Sequence, residues 1–470
     1  MSGFYNRTTE ISALTDAWKA PDSQFILLYG RRRIGKTFLL QHFLGQDKPH
    51  CYFLAAQTRL GENMAQLAQS VIDCFPGSDL TPVDLPTFRS ILKFIGQAAE
   101  KERFALVLDE FQYLVEQDSS IPSQLQAWWD TEGIRSRIFL VLCGSHLGVM
   151  EGLGGPQAPL FGRFAFRHKL PPMNYRDIAC FYDDSSYTVR DKLMAYGTLG
   201  GTPRYHALFD ACRDLSASIQ DHILGPMGVL HNEPEILLSS SQIRDPFPYN
   251  AVLAAISEGC TRPNEISQRT HIPSTKLSFY LKTLMELEWV ERETPFGDTS
   301  QRRSICRVAD PFLLFWYRFA ATLRSELEFQ ETARVYENKV EPYLNDYMGR
   351  YVFERICHQY LKLKSRGSGS LQLKRAGRYW SRNGRLEIDI VAEQSDGRYL
   401  FGECKWSSSP IGVGAYYGLR EKTAMLTEIE YGDNPLYALF SLSGFDDSLK
   451  RIAAEEGLWL VSGDELLRGC

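Results

Sequence analysis

The chain has 470 residues, of which 44% are hydrophobic and 23% charged, and its formal net charge is −5. A single hydrophobic core stops growing at roughly 250–300 residues, so two or three domains are expected. The small negative charge excludes a uniformly basic protein, so any nucleic-acid-binding surface must be local. The cysteines form no CxxC pair, and residues 1–20 mix charge throughout, so we expect reduced cysteines and a cytoplasmic protein. No apolar run approaches the roughly 20 residues that span a bilayer, and no membrane contact is expected.

The first motif is a loop that follows a predicted buried strand at residues 24–29 and precedes a helical pattern over 38–44. Its sequence, GRRRIGKT, matches the GxxxxGK[ST] phosphate-binding loop. In such a loop the backbone N–H groups face phosphate oxygens, Lys36 reaches the β- and γ-phosphates, and Thr37 offers its hydroxyl to Mg²⁺. ATP and Mg²⁺ are therefore predicted to bind here, and a glycine-rich surface turn is the alternative. The predicted nucleotide contacts are Gly30, Arg31, Arg32, Arg33, Ile34, Gly35, Lys36, Thr37 and Phe38.

Polar residues follow two further predicted strands, at 104–108 and 137–142. Since buried parallel strands end at one edge of a sheet, Asp109 is predicted to hold Mg²⁺ and Glu110 to polarise the attacking water. A solvated strand end is the alternative. Ser145 is predicted to sense the γ-phosphate or orient water, unless it is an ordinary turn serine. Arg163, in a loop after the sheet, is predicted to act as an arginine finger within its own subunit or on a neighbour in a homo-oligomer, or else to form a surface ion pair.

A series of motifs carries a family resemblance: FYNRTTE from Phe4, GRRRIGKT, DEFQY from Asp109, Gly144-Ser145, PLFGR from Pro159 and GGTP from Gly200. In these motifs, and over nearly its whole length, the chain resembles the archaeal-type ATPases of the AAA/STAND group. The C-terminal part of those proteins is a domain of unknown function that resembles restriction-like nucleases. The resemblance implies that Arg7 and Glu10 lie near the adenine. It also implies that residues near 201–204 close the site from a helical lid.

The middle of the chain is predicted to hold this small helical lid at 174–230, a linker at 231–249 and a winged helix-turn-helix. Helical patterns over 250–258, 262–270 and 274–288 precede strand-like segments at 289–293 and 305–308, with Ser274 as the expected N-cap of the third helix. Residues that point away from its apolar stripe, and two arginines on the wing, are candidates for DNA contact, with a protein-contact or spacer module as the alternative: Thr275, Lys276, Ser278, Phe279, Lys282, Arg302 and Arg303. The aromatic run 310–319 is predicted to form a buried connecting helix rather than a base-binding box.

The C-terminal pattern predicts a helix carrying Glu354, a strand at 386–392 carrying Asp389, and a hairpin turn at Asp396-Gly397. The next strand carries Glu403 and Lys405, which are two residues apart and so face one side. If Asp389 lies opposite them, two carboxylates and a lysine converge. Such a set can bind Mg²⁺ and activate water for attack on a phosphodiester.

This set matches the PD-(D/E)XK nuclease core, except that Ile388 stands where that motif has proline. Glu354 is predicted to complete the metal shell, and Glu387 is a spare ligand. The alternative is a salt-bridged strand pair in a degenerate domain. Between Leu361 and Arg385 there are Lys or Arg residues at 362, 364, 366, 374, 375, 378, 382 and 385 and no acid, which indicates local attraction for phosphates or a solvated basic loop.

The sequence thus predicts an α/β protein with a P-loop NTPase core of the AAA type at 1–170 and a helical lid and linker at 171–245. A winged helix at 246–310, a helical connector at 311–345 and a restriction-endonuclease-like α/β domain at 346–470 follow. Two functions remain open. One is an ATP-driven enzyme in which ATP binding gates cleavage of DNA. The other is an ATP-switched regulator or scaffold whose nuclease-like domain does not cleave.

Overall fold

The computed structural model describes residues 3–209, 212–241, 243–300, 302–367 and 371–468. The chain divides into two compact units, Met1–Pro172 and Met173–Cys470. Among the described residues, no helix combines the length and the apolar character needed to cross a bilayer.

The first unit is built on a parallel sheet of five strands in the order β2-β3-β4-β1-β5. Its strands are β1 (Gln24–Tyr29), β2 (His50–Leu54), β3 (Phe104–Asp109), β4 (Ile138–Gly144) and β5 (Phe166–Lys169). Its helices are α1 (Thr8–Lys19), α2 (Lys36–Leu44), α3 (Leu60–Asp73), α4 (Phe88–Lys101), α5 (Gln112–Gln117), α6 (Ile121–Thr131) and α7 (Leu147–Leu153), with 3₁₀ turns at Pro82–Asp84 and Gly133–Arg135.

Both faces of this sheet are covered, which explains the continuous apolar runs of its strands. Along β1, Phe25 and Leu27 join one buried cluster while Ile26 and Leu28 join the other. Alternate side chains of a strand point to opposite faces, so each strand contributes to two hydrophobic layers. The strands predicted at 24–29 and 104–108 are confirmed, and the one predicted at 137–142 is shifted slightly, to Ile138–Gly144.

The second unit begins with helices and continues through a hairpin into a second sheet. Its helices are α8 (Tyr175–Ala179), α9 (Val189–Leu199), α10 (Pro203–His206), α11 (Leu215–Ile219), α12 (Glu233–Ser239), α13 (Phe247–Glu258), α14 (Pro263–Thr270), α15 (Ser274–Glu286), α16 (Pro311–Phe315), α17 (Arg324–Phe329), α18 (Thr332–Lys339), α19 (Glu341–Tyr347), α20 (Phe353–Arg366), α21 (Val413–Ala424), α22 (Asp447–Glu456) and α23 (Gly463–Leu467). A 3₁₀ turn at Cys180–Tyr182 and π-helical segments at Gln220–Leu224, Trp316–Ala320 and Met348–Val352 continue α8, α11, α16 and α19.

Its strands are β6 (Val290–Glu293), β7 (Ile305–Val308), β8 (Leu373–Trp380), β9 (Glu387–Gln394), β10 (Tyr399–Lys405), β11 (Leu436–Ser441) and β12 (Trp459–Ser462). The first two form an antiparallel hairpin. The others form a five-stranded mixed sheet in the order β12-β11-β10-β9-β8. Strands β8, β9 and β10 pair antiparallel, and β10, β11 and β12 pair parallel.

Three sequence expectations in this unit were wrong. The predicted linker at 231–249 contains helix α12, because Leu237 and Leu238 are buried there. Ser274 is not the N-cap of α15: Pro273 holds that position, and its carbonyl accepts from the N–H groups of Lys276 and Leu277. Strand β8 was missed, because its edge position leaves the basic residues of the segment exposed and the apolar alternation weak.

Candidate functional site

The phosphate-binding loop joins β1 to α2 in the conformation that its sequence requires. Gly35 has φ 92°, a left-handed value that strains other residues, and α2 begins immediately after it at Lys36. The Lys36 side chain is buried, and its Nζ donates to the carbonyl oxygens of Gly30 and Arg31 at 2.9 Å each. A helix N-terminus and a lysine therefore meet at one loop, an arrangement that favours bound phosphate.

Asp109 lies at the carboxyl end of β3 and is fully buried. Its Oδ2 accepts hydrogen bonds from the hydroxyls of Thr37 at 2.8 Å and Tyr52 at 2.5 Å. Burial and the neighbouring Asp109 charge raise the pKa of Tyr52 well above its usual range, so its hydroxyl stays protonated. The predicted pair Thr37–Asp109 is thus in contact. Tyr52 was not predicted, because the local sequence does not reveal that β2 is the neighbour of β3.

Glu110 follows Asp109 with a left-handed backbone, φ 51°. Its Oε2 accepts from the Ser145 hydroxyl at 2.7 Å and from the Gln112 side-chain amide. The predicted residues Glu110 and Ser145 therefore meet at the edge of the sheet, although they are far apart in sequence. Gln112 is buried and was missed, even though the DEFQY motif contains it.

Two further predicted residues, Arg7 and Arg163, have partners within the first unit. Arg7 is buried, and its guanidinium donates to the carbonyl oxygens of Pro171 at 2.8 Å and Ile34 at 3.3 Å. Arg163 forms a two-pronged ion pair with Asp130 at 2.7 Å for each contact. This is the surface ion pair that we gave as the alternative for Arg163, so an arginine-finger role would require that pair to break.

A second group of polar side chains lies on the sheet of the second unit. The antiparallel register of β9 and β10 runs from Tyr399–Glu393 to Gly402–Ile390, and its continuation places Asp389 across from Glu403. Both carboxylates are buried, and Asp389 Oδ2 accepts from the backbone N–H of Cys404 at 2.8 Å. Burial and the charge of Glu403 raise the pKa of Asp389 to about 6. The two acids predicted from the hairpin therefore share one buried site.

Two lysines contact Glu403. Lys405 Nζ donates to Glu403 Oε1 at 2.7 Å, which places both side chains on the face predicted from their spacing. Lys422 on α21 donates to both carboxylate oxygens of Glu403, at 3.0 and 2.8 Å. Sequence reasoning missed Lys422, because the lysine comes from a different element and carries no local motif.

Glu354 and Glu387, predicted as ligand and spare ligand, are both paired with Arg378. The guanidinium Nε of Arg378 lies 2.8 Å from Glu354, and Arg378 also forms an ion pair with Glu387. Burial raises the pKa of Glu354 to about 7, although Arg378 opposes the shift. In the described part of the chain, no group of three or more His, Cys, Asp or Glu side chains is arranged to hold a metal ion. The structure therefore does not assemble the predicted three-carboxylate shell; Asp389 and Glu403 are left as its core.

The β6–β7 hairpin tip (294–300 and 302–304) packs on the edge strand β8. The N–H of Phe296 donates to the carbonyl of Arg378 at 2.7 Å. Arg303, a candidate for DNA contact, forms ion pairs with Asp298 at 2.6 Å and Glu428 at 2.7 Å. Contact of Arg303 with DNA would therefore require these ion pairs to break, and its role stays a prediction. Arg302 and Lys282 remain exposed.

Comparisons with known proteins support the assignment of the first unit as an ATPase domain. Residues 4–209 match an ATPase domain found predominantly in Archaea, and residues 316–424 match a family of archaeal and bacterial proteins of unknown function. An uncharacterized protein of Methanocaldococcus jannaschii, MJECL04, is 26% identical over 407 residues, covering 86% of this chain and 87% of its own. An uncharacterized ATP-binding protein of the same organism, MJ0423, is 44% identical over 45 residues, covering 10% of this chain and 76% of its own.

Among solved structures, the Walker-type ATPase PABY2304 of Pyrococcus abyssi superposes with a TM-score of 0.53 and 19% identity, covering 67% of this chain and 96% of its own. At this identity the likeness shows the fold alone. The parallel sheet and the phosphate-binding loop thus belong to a P-loop ATPase fold, and the predicted resemblance to an archaeal ATPase followed by a C-terminal domain of unknown function is confirmed.

Proposed function

Because the chain carries the ATPase domain of a predominantly archaeal family followed by a C-terminal domain of unknown function, we propose that it couples ATP hydrolysis to work on DNA. The observation that supports ATP turnover most strongly is the convergence of Lys36, Thr37, Asp109 and Glu110 at one sheet edge. Lys36 would leave the loop carbonyls for the phosphates. Thr37 and Asp109 would hold Mg²⁺, which when bound neutralises charge that develops on the phosphoryl group.

In this proposal Glu110 orients the attacking water and takes up its proton. Ser145 and Gln112 hold the Glu110 carboxylate until nucleotide arrives. The adenine would lie near Arg7, as the family resemblance implies. Hydrolysis then requires the Glu110 carboxylate to leave Ser145 and Gln112 and to move beside the γ-phosphate. A general base in that position contributes roughly 10²–10⁴-fold to the rate.

The ATP site is tested with two variants and one control. Lys36→Ala is expected to abolish binding of a fluorescent ATP analogue. Glu110→Gln is expected to retain binding but to lower phosphate release on the order of 10²-fold or more. Lys19→Ala, an exposed substitution at the end of α1, should change neither measurement. Equal phosphate release by Lys36→Ala, Glu110→Gln and the wild type would refute the assignment.

For the second unit we propose a winged helix followed by a restriction-like nuclease domain. Helices α13, α14 and α15 with the β6–β7 hairpin fit the first, and the mixed sheet with Asp389 and Glu403 fits the second. Two buried carboxylates supply hard oxygen ligands, and Mg²⁺ commonly binds one or two carboxylates while substrate phosphates and water complete its shell. When bound there, the metal would polarise the scissile phosphate and activate water.

The competing candidate is a regulator that binds DNA or protein without cleaving. It is favoured by the ion pairs of Glu403 with two lysines and of Glu354 and Glu387 with Arg378, because a metal ion would have to compete with these cations for the carboxylates. The wild type should cleave linear, nicked or single-stranded DNA in Mg²⁺ but not in EDTA, and Glu403→Ala should not cleave. Glu455→Ala, an exposed acid on α22, is the matched control. If the wild type cleaves none of the three substrates, the regulator is the correct function.

A further inference from the structure

The strongest unexplained feature outside the predicted residues is Lys422 on α21. Its Nζ lies 3.0 and 2.8 Å from the two oxygens of Glu403, and Lys405 Nζ lies 2.7 Å from one of them. Two ammonium groups from different elements therefore converge on one carboxylate. Both ammonium groups contact Glu403, whereas the Asp389 carboxylate accepts its hydrogen bond from the backbone N–H of Cys404, although both lysines also act on Asp389 through their charge.

The acids and the lysines occupy different depths. The Glu403 side chain is 7% exposed, whereas those of Lys422 and Lys405 are 37% and 45% exposed. Asp389 is buried beside Glu403. The acids therefore lie deeper in the protein than the ammonium groups. This arrangement suits a cation bound at the buried acids and an anion that approaches the lysines from the solvent.

From this geometry we infer that Lys422, with Lys405, is a phosphate-binding residue for the DNA backbone, and that it exchanges Glu403 for a phosphodiester when a divalent cation binds the acids. The inference rests on the proposed nuclease-like function and adds a contact from α21 to it. A cation bound to Asp389 and Glu403 would neutralise the carboxylate charge that attracts the two lysines, and would so weaken their ion pairs with Glu403. Each ammonium then gains more from a phosphate oxygen than from a carboxylate already neutralised by metal.

Two properties separate this role from a purely structural ion pair. A lysine that contacts a phosphate contributes about 0.9 to the slope of log K against log salt concentration, through counterion release. A lysine that competes with the metal for Glu403 lowers the metal affinity, so its removal should tighten metal binding. A lysine that only stabilises the fold would change the melting temperature and leave the salt slope unaltered.

The test uses the full-length chain and duplex DNA in Ca²⁺, which takes the same oxygen ligands as Mg²⁺. Lys422→Ala should weaken DNA binding several-fold and reduce the salt slope by about 0.9, while Lys422→Arg should restore the slope. Without DNA, Lys422→Ala should bind Mn²⁺ more tightly than the wild type. Lys450→Ala, which removes an exposed lysine paired with Asp447 on α22, should match the wild type in both assays.

The outcomes distinguish failure of this inference from failure of the proposed function. If the wild type cleaves DNA in Mg²⁺ but Lys422→Ala keeps the wild-type salt slope, the phosphate role is wrong and the nuclease stands. If the wild type binds neither Mn²⁺ nor DNA, the nuclease proposal falls and this inference falls with it. A folded Lys422→Arg chain with the wild-type slope excludes a trivial loss of structure.

Discussion

Tyr52, like Gln112, is a residue of the proposed ATP site that the sequence pattern did not reveal. Its hydroxyl donates to the same oxygen of Asp109 that accepts from Thr37, so two donors fix one carboxylate. A hydrogen bond to a charged group is worth roughly 1.5–3 kcal/mol. In the proposed ATP site Tyr52 would therefore be a positioning residue, which acts on the metal through Asp109.

Tyr52→Phe should raise the Mg²⁺ concentration needed for half-maximal ATP turnover about tenfold, because one fixed donor to Asp109 is lost. ATP binding in EDTA should not change, since Lys36 and the loop are intact. Phosphate release measured across a Mg²⁺ series tests this, with Tyr343→Phe, an exposed tyrosine of the second unit, as the control. An unchanged Mg²⁺ midpoint would remove the positioning role.

Asp389 gives the second site a defined pH dependence. Its pKa rises from 3.8 to about 6, because burial and the charge of Glu403 favour the protonated carboxyl. The folded state thus gains stability from this group at low pH and loses that gain as pH rises through about 6. A shift of this size corresponds to on the order of 3 kcal/mol.

Asp389→Asn cannot ionise, so it should melt at a higher temperature than the wild type at pH 8 and at nearly the same temperature at pH 4. Mg²⁺ should raise the melting temperature of the wild type at pH 8 but not that of the variant. Asp447→Asn, an exposed acid on α22, should behave as the wild type at both pH values. If the wild type melts at a higher temperature than Asp389→Asn at pH 8, the claim that the buried Asp389 charge destabilises the fold is wrong.

At the scale of elements, the tip of the β6–β7 hairpin packs against the edge strand β8. The ring of Phe296 lies at the hairpin tip, with the Arg375 guanidinium 4.6 Å from its centre and the ring of Tyr399 at 6.2 Å. The indole N–H of Trp380 donates to the carbonyl of Arg303 at 3.2 Å. Covering an edge strand in this way prevents its free backbone groups from pairing with other chains.

Phe296→Ala should lower the free energy of unfolding of the second unit by about 3 kcal/mol, since it removes a buried ring from this contact. Urea denaturation followed by tryptophan fluorescence measures the change. Phe279→Ala on α15 is the matched control, because that ring is 62% exposed and surface substitutions usually stay within about 0.5 kcal/mol. Equal losses for the two variants would mean that the tip does not support β8.

The elements that could be predicted are those whose local pattern carries the signal. Strands β1 and β3 are buried on both faces and appear as apolar runs, and the Asp396-Gly397 turn marks the β9–β10 hairpin, with Gly397 at φ 86°. The contact of Lys422 with Glu403 and the ion pairs of Arg378 with Glu354 and Glu387 could not be predicted, because they are fixed by tertiary packing across elements. The same packing turned the hairpin tip toward the sheet, which no charge pattern in the sequence revealed.

At the scale of the whole molecule, one chain joins a unit with the P-loop ATPase fold to a second unit in which two buried acids lie beside two partly exposed lysines. The proposal that ATP controls the second unit rests on their covalent linkage and on the proposed response of the Glu110–Ser145 hydrogen bond to the γ-phosphate. The finer division at residues 245, 310 and 345 and the homo-oligomer remain predictions.

The most direct measurement of this coupling is the rate at which the full-length chain cleaves DNA in Mg²⁺, with and without ATP. The wild type should cleave at an ATP-dependent rate, Lys36→Ala should cleave at one rate whether or not ATP is present, and Glu403→Ala should not cleave. Identical ATP dependence in the wild type and Lys36→Ala, or cleavage by Glu403→Ala at the wild-type rate, would contradict the account.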